Sequence, residues 1–273
     1  MFSPRFLDQE IQKEFDINGF ALVRNAFNKT VISQLLDLFY QYYKNSEENT
    51  MWNSLYDLPF ETSVSVGKKI LDIIHNDLNK YLTEYVSPTA TFMVKHPLKK
   101  DDLPLHRDFS IMDEDEFSYI NIWIPLVDTD RSNGQLFVLP KSHKYFTYPR
   151  PFHTPWAYLN LDSMLRKYCI DIDAHAGDII FYGDKTLHGS HGNFTESPRP
   201  VVHFGVVHPF YKLRYYDYHA EENIVYVYEI PNDFFFGSKD KESLKGMPVA
   251  RKFTYEPPSI TPQHVVEWFS ASQ

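Results

Sequence analysis

The chain has 273 residues, of which 43% are hydrophobic and 16% aromatic, enough to bury a sizeable core and to exclude disorder as its main state. Its 27 basic residues against 36 acidic ones give a net charge of −9 with no lysine or arginine stripe, so a nucleic-acid partner is not expected. A single cysteine, Cys169, excludes an internal disulfide, a zinc ribbon and a four-thiolate iron-sulfur cluster, and points to a reducing, cytoplasmic setting.

Residues 1–14 carry Asp8, Glu10 and Glu14 and no apolar run of signal-peptide length, and no other stretch approaches the ~20 apolar residues of a membrane span. From Asn28 to about Ser46, Val31, Ile32, Leu35, Leu36, Phe39 and Tyr42 recur at three and four, which predicts a helix capped by Asn28 or Thr30. A second helix is predicted over Ser63 to Val86 on the stripe Ile70, Ile73, Ile74, Leu78 and Leu82, with Pro88 as its stop. The character then changes to short β-branched and aromatic segments: Thr89 to Lys95, Tyr119 to Val127, Gly134 to Leu139, Asp178 to Tyr182, and Pro200 to His208. Strands at this spacing, with hairpin signals such as Asn133-Gly134, predict a mainly β fold with a double-sheet jelly-roll core and the N-terminal helices packed on one sheet. Pro209 to Gln273 is rich in Tyr and Phe and interrupted by the polar stretch Gly237 to Lys245; it reads as an extension wrapped on the core, making residues 1–273 a single domain. No repeat, no Gly-x-Gly-x-x-Gly and no Walker-type glycine loop appears.

Chemistry must be sought among the 12 histidines. Chance alone supplies about 1.6 His-x-Asp/Glu pairs in such a composition, and the chain has three, so position has to choose among them. His75 and Asp77 lie in the second helical stripe, where residues two apart diverge. His219 and Glu221 have only His264 after them. His106 and Asp108 occupy the extended-looking Pro104-Leu105-His106-Arg107-Asp108-Phe109, and on a strand residues i and i+2 share a face. With one distant histidine, such a pair makes a two-histidine, one-carboxylate facial triad, which leaves adjacent positions on Fe(II) for a chelating cosubstrate and O2. His188 is the candidate third ligand: it follows the Gly177 to Phe181 strand, and Arg199 lies eleven residues later at the start of the next one. His203 and Arg214 repeat that spacing without the turn. His191, between Gly189 and Gly192, is expected at the pocket rim or in solvent. His96, His143, His153, His175 and His208 read as surface or hydrogen-bonded residues, and Lys99-Lys100-Asp101-Asp102 as a solvated loop.

At this point the chain resembles the phytanoyl-CoA dioxygenase family of Fe(II)- and 2-oxoglutarate-dependent oxygenases. The family's Gly-Asp, His-x-Ser, Asn and Arg pattern is matched by Gly177, Asp178, His188, Ser190, Asn193 and Arg199. Upstream, Asn121-Ile122-Trp123-Ile124-Pro125-Leu126, Asn133-Gly134-Gln135-Leu136 and Pro140-Lys141-Ser142-His143 look like its tryptophan strand, Asn-Gly hairpin and Pro-Gly-Ser-His turn, and Phe15 to Phe20 resembles its opening segment. The resemblance runs from about residue 10 to 208. It implies a double-stranded β-helix, cupin-like core, with His106, Asp108 and His188 binding iron, Arg199 and Ser190 holding the distal carboxylate of 2-oxoglutarate, and Trp123 lining that pocket. The forked guanidinium of Arg199 suits a buried carboxylate better than a lysine would. The implied reaction hydroxylates or otherwise oxidises an unactivated C–H bond, consuming O2 and 2-oxoglutarate and releasing succinate and CO2. Halogenation is disfavoured, since Asp108 fills the coordination position a halide would need.

Three departures stand out. Lys141 replaces the usual glycine of the Pro-Gly-Ser-His turn, Arg107 stands where glutamine is common between the ligands, and a cosubstrate-contacting lysine of some members has no obvious place. The alternative reading is a metal-binding jelly roll without oxygenase activity, either a zinc hydrolase or isomerase or a binding module. Arg199 discriminates, because a hydrolase needs no fixed cation beside its metal. An acidic chain without a basic cluster is a poor host for the phosphates of coenzyme A, so a small-metabolite substrate is expected, with no membrane partner.

Overall fold

The computed structural model describes residues 3–45, 49–154, 158–232, 234–236 and 241–270. A short strand β1 (Arg5–Phe6) leads to helix α1 (Gln9–Asn18), strand β2 (Phe20–Val23) and helix α2 (Lys29–Tyr42). Asn28 caps α2 as its sequence predicts, its side-chain oxygen accepting from the Thr30 and Val31 N–H groups at 2.9 and 3.1 Å. Strand β3 (Met51–Asn53) precedes helix α3 (Phe60–Leu78), which buries Val66, Ile70, Ile74 and Leu78. This helix ends at Leu78 and not near Val86: Leu82 and Thr83 form strand β4, which pairs antiparallel with β1. The apolar stripe that appeared to continue the helix therefore continues as a strand, with Leu82 still buried.

Eight further strands build the core: β5 (Thr91–Lys95), β6 (Leu103–His106), β7 (Ile120–Pro125), β8 (Leu136–Val138), β9 (Ile170–Asp171), β10 (Ile179–Gly183), β11 (His188–Ser190) and β12 (Arg199–Val206). They form two antiparallel sheets in the orders β2-β10-β7-β12-β5-β3 and β6-β11-β8-β9, facing each other as a jelly roll. Strand alternation divides the larger sheet. Ile120, Ile122 and Ile124 of β7, Ile179 and Phe181 of β10, and Val202 and Phe204 of β12 pack with Leu35, Phe39, Val66, Ile70 and Ile74 of α2 and α3. The alternate residues Trp123, Ile180, Tyr182 and Val201 pack between the sheets with Leu136 and Val138. Strand β7 is thus buried on both faces, which is why it reads as an unbroken apolar run.

The Asn133-Gly134 turn forms, with Asn133 and Gln135 both donating to the Asp130 carbonyl, but it is not a hairpin. β7 and β8 belong to different sheets, so this turn carries the chain from one to the other. A short helix α4 (Asp162–Leu165) follows, and after β12 come a third sheet of β13 (Arg214–His219), β14 (Ile224–Glu229) and β15 (Val249–Thr254), and helix α5 (Pro262–Phe269). Val265 and Phe269 of α5 pack with Leu105, Phe137 and Phe146 on the outer side of the smaller sheet. Of the polar stretch expected from Gly237 to Lys245, residues 237–240 lie outside the described residues, as does Ser46 at the expected end of the first helix. No helix among the described residues is long and apolar enough to cross a membrane.

Lys141 sits in the left-handed region, φ 66° and ψ 0°, which explains why glycine is the usual residue of this turn. Its N–H bond to the Asn18 carbonyl, 2.7 Å, needs only backbone. Lys141→Gly is expected to relieve the left-handed strain and, after the entropy glycine adds to the unfolded chain, to stabilise the protein by up to about 1 kcal/mol in urea unfolding.

Candidate active site

Both sheets open onto one cleft of about 400 Å³, lined by Met51, Met93, Leu103, His106, Asp108, Trp123, Leu136, Tyr182, His188, Ser190, Arg199 and His203. Every residue that the sequence selected lies on this lining. His106 ends β6 and His188 opens β11, and these two strands pair so that the histidines stand opposite each other. One nitrogen of each ring is anchored locally, His106 Nδ1 at 2.8 Å from the Pro104 carbonyl and His188 Nδ1 at 3.1 Å from the Thr186 carbonyl. Nδ1–H donates in each case, which leaves both Nε2 lone pairs facing Asp108 Oδ1, 3.9 Å from each. One ligand atom from each of the three residues lies within 4.8 Å of the others.

β6 stops at His106, so Asp108 is not two residues along the same strand as the i, i+2 spacing predicts. Its placement comes from Asn121 on β7, whose amide donates to Asp108 Oδ2 at 2.9 Å and leaves Oδ1 to the histidines. Burial would raise the Asp108 carboxyl, but the neighbouring His188, His106 and His203 outweigh it and hold the group below the usual carboxylate range. Burial, reinforced by His188, pushes His106 down to about 3, keeping its imidazole neutral. Two imidazoles and a carboxylate, all with their outer atoms already hydrogen-bonded, suit a divalent transition metal.

Arg199 opens β12, with its guanidinium 5.4 Å from the Trp123 ring centroid. It is 2% exposed, and among the described residues it has no carboxylate within 4.0 Å and its buried Nε has no hydrogen-bond partner. Burial brings it down to about 9. An enclosed guanidinium without a counter-charge is a vacancy for an anion. Gly134, at φ 99°, passes so close that an added Cβ would lie 3.2 Å from Arg199 Nε and 3.0 Å from Lys95 Cδ.

Sequence reading missed two neighbours. Lys95 on β5 pairs in register with Arg199 and is fully buried, its Nζ donating to the Ser190 carbonyl at 3.0 Å and to the His191 carbonyl. Burial and the Arg199 charge bring it down to about 7. A lysine at the end of an apolar strand looks like a snorkelling edge residue, so only the β5–β12 register reveals it. His203, set aside for want of a turn, projects from β12 into the cleft with Nε2 2.9 Å from the Tyr182 hydroxyl, and burial pushes it down to about 4. Alternation from Arg199 through Val201 to His203 was the available signal.

The other matched motif residues act as scaffold. Asp178 is buried against Arg24 at 2.9 Å and the Asn25 N–H at 2.8 Å, tying the end of β2 to the start of β10. Ser142 Oγ accepts from the Leu187 N–H at 2.8 Å, one residue before His188. Asn193 spans the β11–β12 turn, donating to the Lys95 and Ser197 carbonyls. His191, expected at the rim or in solvent, is instead half-buried outside the cleft with Nε2 2.7 Å from Asp171. His219 joins His153 on the buried Asp217, at 2.8 and 2.9 Å, away from the cleft.

Behind the ligands, Arg107 is 2% exposed and donates to Glu114 Oε1 at 2.8 Å. Asp184, also buried, is raised to about 7 by burial and then by the Glu114 charge, with Arg107 opposing. A second cavity flanks His106 on that side, lined by Tyr148, Arg150, Tyr158, Tyr255 and Pro257 among others.

The phytanoyl-CoA dioxygenase family model matches residues 15–201. Similar solved structures include HygX from Streptomyces hygroscopicus with nickel, 2-oxoglutarate and hygromycin B bound, at 16% identity and TM-score 0.55 over 75% of this chain and 88% of that one. The epimerase SnoN in complex with Fe3+, alpha ketoglutarate and nogalamycin RO matches at 13% identity and TM-score 0.53 over 75% and 85%. EvdO2 from Micromonospora carbonacea var. aurantiaca, complexed with 2-oxoglutarate, matches at 17% and 0.51 over 76% and 94%. These likenesses are of fold. No curated protein matches the chain.

The raised Asp184 carboxyl gives a pH test. Folded protein holds this proton between about pH 4 and 7, where the unfolded chain has released it, so Asp184 costs the fold stability as pH rises through that window. Asp184→Asn is expected to flatten the slope of urea-unfolding free energy between pH 4 and 7 relative to wild type.

Proposed function

The chain belongs to the phytanoyl-CoA dioxygenase family and is a 2-oxoglutarate-dependent oxygenase, and on that premise we propose that His106, Asp108 and His188 hold its Fe(II). Arg199 takes the distal carboxylate of 2-oxoglutarate with Ser190 as a second donor, and Trp123 walls the pocket. The observation that carries this reading is the uncompensated Arg199 guanidinium in the same cleft as the His-Asp-His cluster. A hydrolase or binding module would have no use for it.

Bound iron supplies O2 activation, coupled to conversion of 2-oxoglutarate to succinate and CO2 and to oxidation of a substrate C–H bond. The chain's own part is binding and exclusion. Arg199 fixes the cosubstrate by its far end through a forked, charge-assisted pair. Met51, Met93 and Leu136 give its methylenes an apolar channel. The carbonyl-anchored histidines keep Nε2 free for metal at neutral pH. Asp108 occupies the position a halide would take, which favours hydroxylation or a related oxidation over halogenation.

The substrate in this proposal is a small metabolite. The net charge of −9 disfavours coenzyme A phosphates and nucleic acid alike, and HygX and SnoN were solved with hygromycin B and nogalamycin RO bound. It approaches through the cavity on the far side of His106, where Tyr255 and Pro257 bring residues 209–273 into the same domain as the core. A cytoplasmic location fits the lone Cys169, which is a free thiol. Succinate release on a metabolite panel with Fe(II), ascorbate and 2-oxoglutarate identifies the substrate; no release above the substrate-free rate from any member counts against the small-metabolite reading.

Truncating Arg199 leaves a buried carboxylate unpaired, a cost of about 3–5 kcal/mol. Arg199→Ala should weaken 2-oxoglutarate binding by roughly two to three powers of ten while metal still binds, with Arg199→Lys between the two. Anaerobic titration of the Fe(II) protein, followed by its metal-to-ligand absorption band, reads this, and wild-type affinity in Arg199→Ala defeats the assignment. His188→Ala should lose metal and turnover, whereas His191→Ala, which removes only the pair with Asp171, should keep both.

A further inference from the structure

We propose that Arg107 is a positioning residue for the Asp108 carboxylate, holding in register a ligand-bearing segment that no β-ladder holds. The inference rests on reading His106, Asp108 and His188 as the metal ligands. β6 is the edge strand of its sheet, pairs only with β11 and ends at His106. Residues 107–111 belong to no ladder, and the next bridge is Met112 to Leu213. On the side-chain side, Asn121 holds Asp108 by one hydrogen bond. A dangling segment of this kind sets a carboxylate only as well as its backbone is fixed.

Arg107 supplies that fixing from the opposite side. The cleft is lined by His106 and Asp108 but not by Arg107, which is buried and borders the second cavity beside His106. Its Nη2 donates to Glu114 Oε1 at 2.8 Å, and its Nη1 to the Tyr148 carbonyl and, at 3.4 Å, the Phe146 carbonyl. Its own carbonyl accepts from Arg150, whose backbone exchanges two 2.9 Å hydrogen bonds with Ser110. The segment from His106 to Ser110 is thereby fastened to loop 145–150 at both Arg107 and Ser110, and to loop 113–117 by the Arg107 side chain. Asp184, whose charge also acts on Arg107, lies four residues before His188, so the same buried cluster borders both ligand-bearing segments.

Burying a guanidinium and a carboxylate is a poor way to gain stability, because desolvation offsets their attraction and a well-packed apolar pair often does as well. What the pair supplies is direction: a planar fork with three acceptors admits one arrangement of backbone, where methionine or leucine would admit several. Arg107 standing where glutamine is common fits this reading, since glutamine could not neutralise Glu114.

The test separates direction from stability. Arg107→Met leaves Glu114 buried and unpaired and should lower both the melting temperature and the affinity for added Co(II), the latter about 10–100-fold, as for other groups that orient metal ligands. Arg107→Met with Glu114→Leu removes both charges and should recover much of the melting temperature but not the Co(II) affinity, read from the cobalt visible absorption well below unfolding. Arg107→Lys keeps the charge and the fold but cannot donate to Glu114 and two carbonyls together, and should also bind Co(II) more weakly. Wild-type Co(II) affinity in either the double variant or Arg107→Lys overturns the proposal. A wild-type protein that binds no Co(II) overturns the ligand assignment itself, and that is seen before any variant is made.

Discussion

The two-residue period of three central strands is the constraint on which the rest depends. In β7, β10 and β12, one set of side chains must satisfy a helix-covered apolar layer and the other must line a reaction chamber. Ile122 and Phe204 belong to the first set, Asn121, Trp123 and His203 to the second. A single-residue register slip in any of these strands would exchange the two populations, placing isoleucines against the metal cluster and an asparagine or histidine among leucines. Register is therefore enforced by burial on both faces, and the chemistry inherits the precision of the core.

Electrostatics in the cleft follow a consistent division. The His-Asp-His end presents two imidazoles and one carboxylate, each with its outer atom bound to backbone or amide. The far end presents two buried basic side chains, Arg199 and Lys95, with no acidic partner for Arg199 among the described residues. The two halves are complementary under the proposed assignment, in which a dianionic keto acid would meet the metal at one end and pair with Arg199 at the other.

Much of the site could be read from the sequence because its signals are local: His106 and Asp108 lie two residues apart, and His188 and Arg199 bracket one turn. Asp108 comes beside the two histidines by another route than the i, i+2 spacing of a strand, since β6 ends at His106 and Asn121 does the placing. Lys95 was illegible for the opposite reason: it is defined by its cross-strand partner Arg199, at a separation no local pattern encodes, whereas His203 follows from the alternation of Arg199, Val201 and His203 along β12. In the fold, α2 and the core strands announced themselves by periodicity, whereas the end of α3 was hidden because Leu82 fits a helical stripe and is claimed by pairing with β1. Strands β13 and β14 mix Tyr with Val or Asp over short runs that composition alone reads as an aromatic tail.

The walls on the two sides of His106 have different origins along the chain. The cosubstrate cleft is built from residues between 51 and 203, nearly all within the family-matched span, while Tyr255 and Pro257 of the second cavity lie far beyond it. Substitutions at Tyr255 or Pro257 would change the wall of the second cavity and leave the residues lining the first cleft in place. The wall beside His106 that lies outside the family-matched span is thus carried by a region that also packs, through Val265 and Phe269, on the smaller sheet.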